Sequence, residues 1–284
     1  MYKILTKKIL APGVVLMDID VPRVARSAQP GQFVIVRAHN QGERIPLTIC
    51  DYDRDKGTVT IVTQVVGASS RIICHKEVGE ELPDFVGPLG LASEFVHEPA
   101  ESLKKKSFLF LAGGLGAAPV YPQAKYLHQA GAHVEVIIAA KSKEMLILTE
   151  EMRAVSDKVY IATDDGSEGY HGLITGLLKE LLSSGLSYDH AVAIGPMVMM
   201  KFVALTAKEF NLPLIASLNT LMVDGTGMCG ACRVTVAGKT KFACVDGPEF
   251  NAYDVDFDEA MRRQLMYKDL EVEADHKCKL GIGE

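Results

Sequence analysis

Phe108-Leu-Phe-Leu-Ala-Gly-Gly-Leu-Gly-Ala-Ala-Pro119 is the stretch that decides the fold. An apolar run leads straight into three glycines and a helix-forming segment, which predicts a buried strand, a tight turn and a helix. Glycines in such a turn let the backbone approach a phosphate, and the helix N-terminus offers free N–H groups and the positive end of its dipole. The same turn also serves plain strand–helix packing. Two further turns, Thr163-Asp-Asp-Gly-Ser167 and Gly195-Pro-Met197, follow predicted strands in the same manner. In a parallel sheet all three fall at one carboxyl edge, where ligands bind. Gly113, Gly114, Gly116, Pro119, Asp164, Asp165, Gly166, Gly195, Pro196 and Met197 are therefore expected to line a nucleotide site.

Around this stretch the pattern predicts strands over 107–112, 133–139, 159–163, 190–194 and 214–217, with helices over 117–130, 174–182 and 197–210. Apolar strands alternating with helices mean βαβ units and a parallel sheet, expected over 104–217. The second strand ends on Lys141-Ser-Lys143 instead of the acidic residue usual for NAD. Those lysines suit either a 2′-phosphate or a solvated loop, so charge alone leaves NAD against NADP open.

Upstream, before the charged linker Glu101-Ser-Leu-Lys-Lys-Lys106, the residues 1–98 read as short β-rich runs broken by Gly and Pro, such as Gly31-Gln-Phe-Val-Ile-Val-Arg37 and Gly57-Thr-Val-Thr-Ile-Val-Thr63. They predict a small antiparallel barrel with no strong helix. Downstream, 218–284 holds Asp224-Gly-Thr-Gly-Met-Cys229-Gly-Ala-Cys232, followed by Cys244. Plant-type ferredoxins hold a 2Fe-2S cluster by Cys-x4-Cys-x2-Cys and a distant Cys. Here Asp224 stands at the first ligand place, and its carboxylate carries the same unit charge as a thiolate. Glycines at 225, 227 and 230 suit a tight loop that turns backbone N–H groups toward sulfide. The other reading is a structural zinc site, with Asp224, His276 or Cys278 as fourth ligand, although no second Cys-x2-Cys is present. Cys50, Cys74 and Cys278 read as buried or free thiols. A hairpin over 233–236 and 241–243 is expected, and then an amphipathic helix with Phe257, Ala260, Met261 and Leu265 on one side, packed on the body or on a partner.

The chain has 284 residues, 48% of them hydrophobic and 23% charged, enough for more than one domain. A net charge of −6 without a basic stripe argues against nucleic acid. The N-terminal run is broken by Lys7, Lys8 and Pro12, and no apolar run spans a bilayer, so neither signal peptide nor membrane span is expected. Six cysteines without a pairing pattern fit a reducing, cytoplasmic setting.

Three pieces in order, Arg44-Ile-Pro-Leu-Thr48, the Gly113–Pro119 turn and the loop ending in Ala243-Cys-Val-Asp-Gly-Pro-Glu-Phe250, resemble the ferredoxin-reductase-like flavoproteins. The resemblance covers essentially the whole chain. Its nearest branches are the electron-transfer subunit of dihydroorotate dehydrogenase and the small subunit of NADH-dependent reduced ferredoxin:NADP oxidoreductase. It implies an FAD-binding barrel, an NAD(H)-binding α/β domain and a 2Fe-2S domain held by Asp224, Cys229, Cys232 and Cys244. Arg44, Pro46, Leu47 and Thr48 resemble the flavin-contacting motif. Thr63, Gln64, Val65, Val66, Ser69 and Ser70 match the segment that holds FAD ribityl and pyrophosphate in relatives, which often carry Arg and Gly-Thr where this chain has Gln64 and Ser69-Ser70. Gly87-Pro-Leu-Gly90 resembles the turn that closes the flavin barrel, and serves equally as a plain β-turn.

The resemblance implies electrons passing from NADH through FAD to the cluster. No side-chain acid, base or nucleophile is needed for that. With one cluster motif and no substrate pocket evident, a partner is implied: by resemblance a larger flavoprotein subunit with 4Fe-4S clusters, in a complex that performs electron bifurcation. Asp224 favours this branch, because dihydroorotate dehydrogenase subunits carry four Cys. The alternatives are that dehydrogenase's electron-transfer subunit and a zinc-stabilised nucleotide-binding module.

Overall fold

A computed structural model describes residues 1–280. The first segment is built from β1 (Tyr2–Ala11), β2 (Val14–Asp20), α1 (Pro22–Ser27), β3 (Phe33–Arg37), β4 (Arg44–Asp53), β5 (Thr58–Gln64), α2 (Ala68–His75), β6 (Glu81–Leu82) and β7 (Asp84–Leu89). Its strands form one antiparallel sheet in the order β6-β1-β2-β5-β4-β3-β7. Pro83 alone separates β6 from β7, yet these are the two edges of the sheet. The chain thus steps from one edge to the other, and the sheet rolls into a nearly closed barrel. Its core includes Met17, Ile19, Val34, Val36, Val59 and Ile61. Alternation along β3 sends Phe33 and Ile35 the other way, into a core shared with the C-terminal segment.

After the short α3 (Ala100–Leu103) come β8 (Ser107–Gly113), α4 (Ala117–Gln129), β9 (His133–Ala140), α5 (Thr149–Arg153), β10 (Lys158–Thr163), β11 (Tyr170–His171), α6 (Ile174–Ser183), β12 (His190–Ile194), α7 (Met197–Glu209) and β13 (Leu214–Ser217). Every strand predicted here is present, within a residue or so at either end. Phe108 to Ala112 are all buried, as a parallel strand covered by helices on both faces requires. The order β11-β10-β9-β8-β12-β13 reverses direction between β8 and β12. That reversal is the switch point of a doubly wound sheet, and it puts the turns after β8 and β12 on either side of one crevice.

The last segment supplies β14 (Arg233–Val236), β15 (Lys239–Phe242), α8 (Ala243–Asp246), β16 (Glu249–Asn251), α9 (Phe257–Gln264) and α10 (Lys268–Lys279). The hairpin's second strand starts at 239 where the pattern suggested 241, because Ala237 and Gly238, both at positive φ, make the turn immediately after β14. β16 pairs antiparallel with β13 and extends the parallel sheet. Asp256 caps α9 by accepting from Glu259 N at 2.8 Å. Phe257 and Ala260 are buried in the body, while Leu265, just past the helix, is exposed. Among the described residues no helix is long and apolar enough to cross a membrane.

Candidate functional site

The loop between β13 and β14 lies over the barrel. A Cβ on Gly225, at φ +82°, would stand 2.9 Å from both Ile35 Cγ1 and Leu89 Cδ1. Only glycine lets the loop rest on β3 and β7 at this point. Cys232 and Cys244 are buried with their sulfurs 3.2 Å apart, close enough for one metal ion to take both. Burial, and then the neighbouring Cys232, push the Cys244 thiol up to about 12. Cys229 is exposed at the rim. Hydrogen bonding from the Ala231 backbone, with smaller help from Asp224 and Val223, holds its thiol below the usual cysteine range, while the nearby Asp224 charge opposes this. Backbone N–H groups aimed at a thiolate are what a cluster ligand needs.

Asp224 folds back on its own loop. Its Oδ2 accepts from Thr226 N at 3.0 Å, from the Thr226 hydroxyl and from Met228 N at 3.4 Å. The Thr226 hydroxyl, then its N–H, then Met228 N–H and the charge of Arg44 keep the carboxyl below its ordinary range. Thr226 was not singled out from sequence, though an Asp followed two residues later by Thr is an Asx-turn pattern. Among the described residues no group of three or more His, Cys, Asp or Glu is already gathered at metal-holding distance. The donor set nonetheless fits a 2Fe-2S cluster: two thiols in contact, a third stabilised as thiolate, and an anionic oxygen across the glycine turns. The tail candidates of the zinc reading lie elsewhere. His276 and Cys278 sit on α10 in clefts beside Val66 and α2.

Arg44 to Thr48, which the resemblance expects to contact flavin, occupy the start of β4. They are all half-buried, whereas Ile49 and Cys50 immediately after are buried. The Arg44 guanidinium reaches the loop between β13 and β14. Its Nε donates to Val223 O at 3.1 Å and its Nη2 to Asp224 O at 3.4 Å. The second flavin segment runs from the end of β5 into α2. The Ser70 hydroxyl accepts from Val66 N at 2.9 Å and Gly67 N at 3.0 Å, and Ser69 donates to Glu43 Oε2 at 2.6 Å. Both hydroxyls therefore serve the protein itself, and what remains for a phosphate is the backbone N–H groups of the α2 first turn. The site of a Cβ on Gly67, the residue that caps α2, is open, so an anion has room to approach. Thr63 Oγ1 is buried without a hydrogen-bond partner.

At the carboxyl edge of the parallel sheet the glycines divide the labour. A Cβ on Gly116 would stand 2.0 Å from Ile194 O, so α4 packs on β12 only with glycine there. Gly114, at φ +55°, faces open space. A Cβ on Gly195 would stand 3.1 Å from Gly113 Cα, so the turns after β8 and β12 touch. Thr163 Oγ1, Asp165 and Ser167 tie the turn after β10 together, with Gly166 at φ +73°. Lys143 Nζ is held by Glu168 at 2.9 Å, and its backbone N–H by Ser167 Oγ at 2.7 Å.

The iron–sulfur cluster binding domain of dihydroorotate dehydrogenase B matches residues 219–256. A Thermotoga maritima protein described as a homolog of the electron transfer subunit of dihydroorotate dehydrogenase B (NAD(+)) is 43% identical, over 95% of this chain and 92% of that one. The chain belongs to this family of electron-transfer subunits. The dihydroorotate dehydrogenase B electron transfer subunit of Desulforamulus reducens is 30% identical, over 89% of this chain and 96% of that one. A solved structure of NADH-dependent reduced ferredoxin–NADP oxidoreductase superposes with a TM-score of 0.89 at 41% identity, covering 98% of this chain and 97% of that one. Phthalate dioxygenase reductase shares the fold, with a TM-score of 0.58 at 16% identity over 83% of this chain and 85% of that one. In this electron-transfer subunit the matched cluster domain is the segment that contains Asp224 and the three cysteines, laid directly on the barrel.

Proposed function

We propose that this chain is the electron-transfer subunit of an NADH-dependent reduced ferredoxin:NADP oxidoreductase, using NAD(H), FAD and a 2Fe-2S cluster. Residues 1–98 carry FAD through Arg44, Pro46, Leu47, Thr48 and the stretch Thr63, Gln64, Val65, Val66, Ser69 and Ser70. Residues 104–217 carry the nicotinamide nucleotide at the Gly113–Pro119, Asp164–Gly166 and Gly195–Met197 turns. Residues 218–284 hold the cluster through Asp224, Cys229, Cys232 and Cys244. Bound FAD supplies the conversion between two-electron nicotinamide chemistry and one-electron cluster chemistry. The protein's own part is position and charge: the touching turns Gly113 and Gly195 shape the nucleotide crevice, and the loop on β3 and β7 brings the cluster ligands against the flavin strand.

The observation that carries this reading is the full-length likeness to that oxidoreductase's structure at 41% identity, against 30–31% for the subunits described as belonging to dihydroorotate dehydrogenase B itself. By the same reading the partner is a larger flavoprotein with 4Fe-4S clusters. Anaerobic isolation with iron, sulfide, flavin and partner determined together tests it. The expected result is two irons, two sulfides and one FAD per chain, with a 4Fe-4S flavoprotein co-purifying. Co-purification with a dihydroorotate-oxidising subunit selects the alternative, and zinc without flavin removes both.

A further inference from the structure

Arg44 belongs by sequence to the flavin motif, and its guanidinium also reaches the cluster loop. It donates through Nε to Val223 O at 3.1 Å and through Nη2 to Asp224 O at 3.4 Å, closing a fork over two successive carbonyls. Asp224 is the proposed oxygen ligand, so the fork grips the main chain of that ligand and of the residue before it. The nearest acid does not cancel the charge one for one: Asp84 Oδ2 stands 3.7 Å from Arg44 Nη1 but only 2.9 Å from Arg37 Nη2, so one carboxylate serves two guanidiniums. The Arg44 side chain is 26% exposed, which leaves its charge incompletely screened. The contact joins β4 to a loop 179 residues further along the chain.

We propose that Arg44 is a positioning residue for the cluster: it fixes the Asp224 backbone against β4, and its charge makes the cluster easier to reduce. This rests on the ligand and cofactor assignments above. A guanidinium presents several N–H groups in a rigid planar fork, which a lysine ammonium cannot copy although it keeps the charge. Groups around metal ligands orient them, and nearby charge and hydrogen bonding set cluster potential. An added electron is stabilised by a neighbouring positive charge, so removing that charge lowers the midpoint potential.

The test compares wild type, Arg44→Gln and Arg44→Lys, each isolated anaerobically in its native complex. Iron, sulfide and flavin per chain are measured, and the reduced cluster is followed by EPR during a potentiometric titration with chemical reductant. Arg44→Gln is expected to shift the midpoint to a more negative value and change the EPR line shape. Arg44→Lys is expected to keep the midpoint nearer to wild type while still changing the line shape, because charge survives and the fork does not. A wild-type midpoint and line shape in Arg44→Gln, or loss of flavin alone with the cluster unaltered, overturns the proposal. Should the glutamine variant fail to fold, an unchanged line shape in Arg44→Lys overturns it instead. Absence of iron and sulfide from the wild-type protein would instead sink the underlying function, which keeps the two failures apart.

Discussion

Asp224 and Cys229 flank the same glycine turns, yet their replacement has different consequences. A thiolate and a carboxylate carry equal charge, and the Asx turn fixes Asp224 mainly through Oδ2. Asp224→Cys is expected to retain two irons and two sulfides while changing the visible spectrum and midpoint potential, since donor softness tunes both. Cys229→Ala removes an anionic donor with no substitute nearby, and is expected to lower bound iron by at least about tenfold. Iron and sulfide analysis with absorption spectra checks both, and an unaltered spectrum in Asp224→Cys takes Asp224 out of the coordination shell. Lys143 offers a residue-level test of nucleotide choice. Glu168 now occupies it at 2.9 Å in an exposed pair. Releasing it with Glu168→Gln should let the ammonium meet a 2′-phosphate and improve kcat/KM for NADPH about two- to fivefold, the range an exposed ion pair commands, with NADH barely affected. Equal changes for both nucleotides would contradict that role.

Elements were legible where burial imposes an apolar pattern, continuous in a strand covered on both faces and periodic in a helix covered on one. The parallel strands read clearly because both of their faces are covered, and α4, α6 and α7 because each buries an apolar side. The helices α1 and α2 escaped notice: α1 has six residues, and α2 opens on small polar Ala68-Ser-Ser-Arg before its Ile-Ile pair. Nothing in α10 is buried, so no apolar stripe marked it. β16 has three residues, too few to reveal that it extends the sheet. The glycines of the cluster loop and of the turns were legible because positive φ and close packing need that residue type, whereas the turning of Arg44 toward the loop depends on a contact between distant segments. α10 touches α2 through the Arg71–Asp275 pair at 3.0 Å. An ion pair this near the surface contributes little to global stability. Asp275→Ala should therefore speed amide hydrogen exchange across 268–279 while moving the unfolding temperature by no more than about 3 °C. A larger drop would mean that α10 carries much more of the fold than its exposure implies.

Over the whole molecule, the three segments converge on Glu249. It lies on β16, and its Oε1 accepts from Ser93 Oγ, just beyond the barrel, at 3.0 Å and from Gln123 Nε2 of α4 at 2.9 Å. Burial outweighs these two hydrogen bonds and pushes the carboxyl up to about 7, from an ordinary 4.5. Gln123 is fully buried and its Oε1 has no partner, so a proton on Glu249 supplies a donor that the junction lacks once the Gln123 amide turns over. Because the folded protein holds this proton more tightly than the unfolded chain, its contribution to stability is complete below pH 4.5, declines as pH rises and is gone above about 7. The loss is bounded at about 3 kcal/mol and is smaller to the extent that water reaches the half-buried side chain. Glu249→Gln keeps an acceptor for Ser93 and offers a permanent N–H to Gln123 Oε1. Urea unfolding of the anaerobic holoprotein should then show the variant more stable than wild type at pH 8, with the two converging toward pH 5. A gap between them that stays constant across that range would mean that Glu249 is ionised throughout and that the three segments meet on a charge instead of a proton.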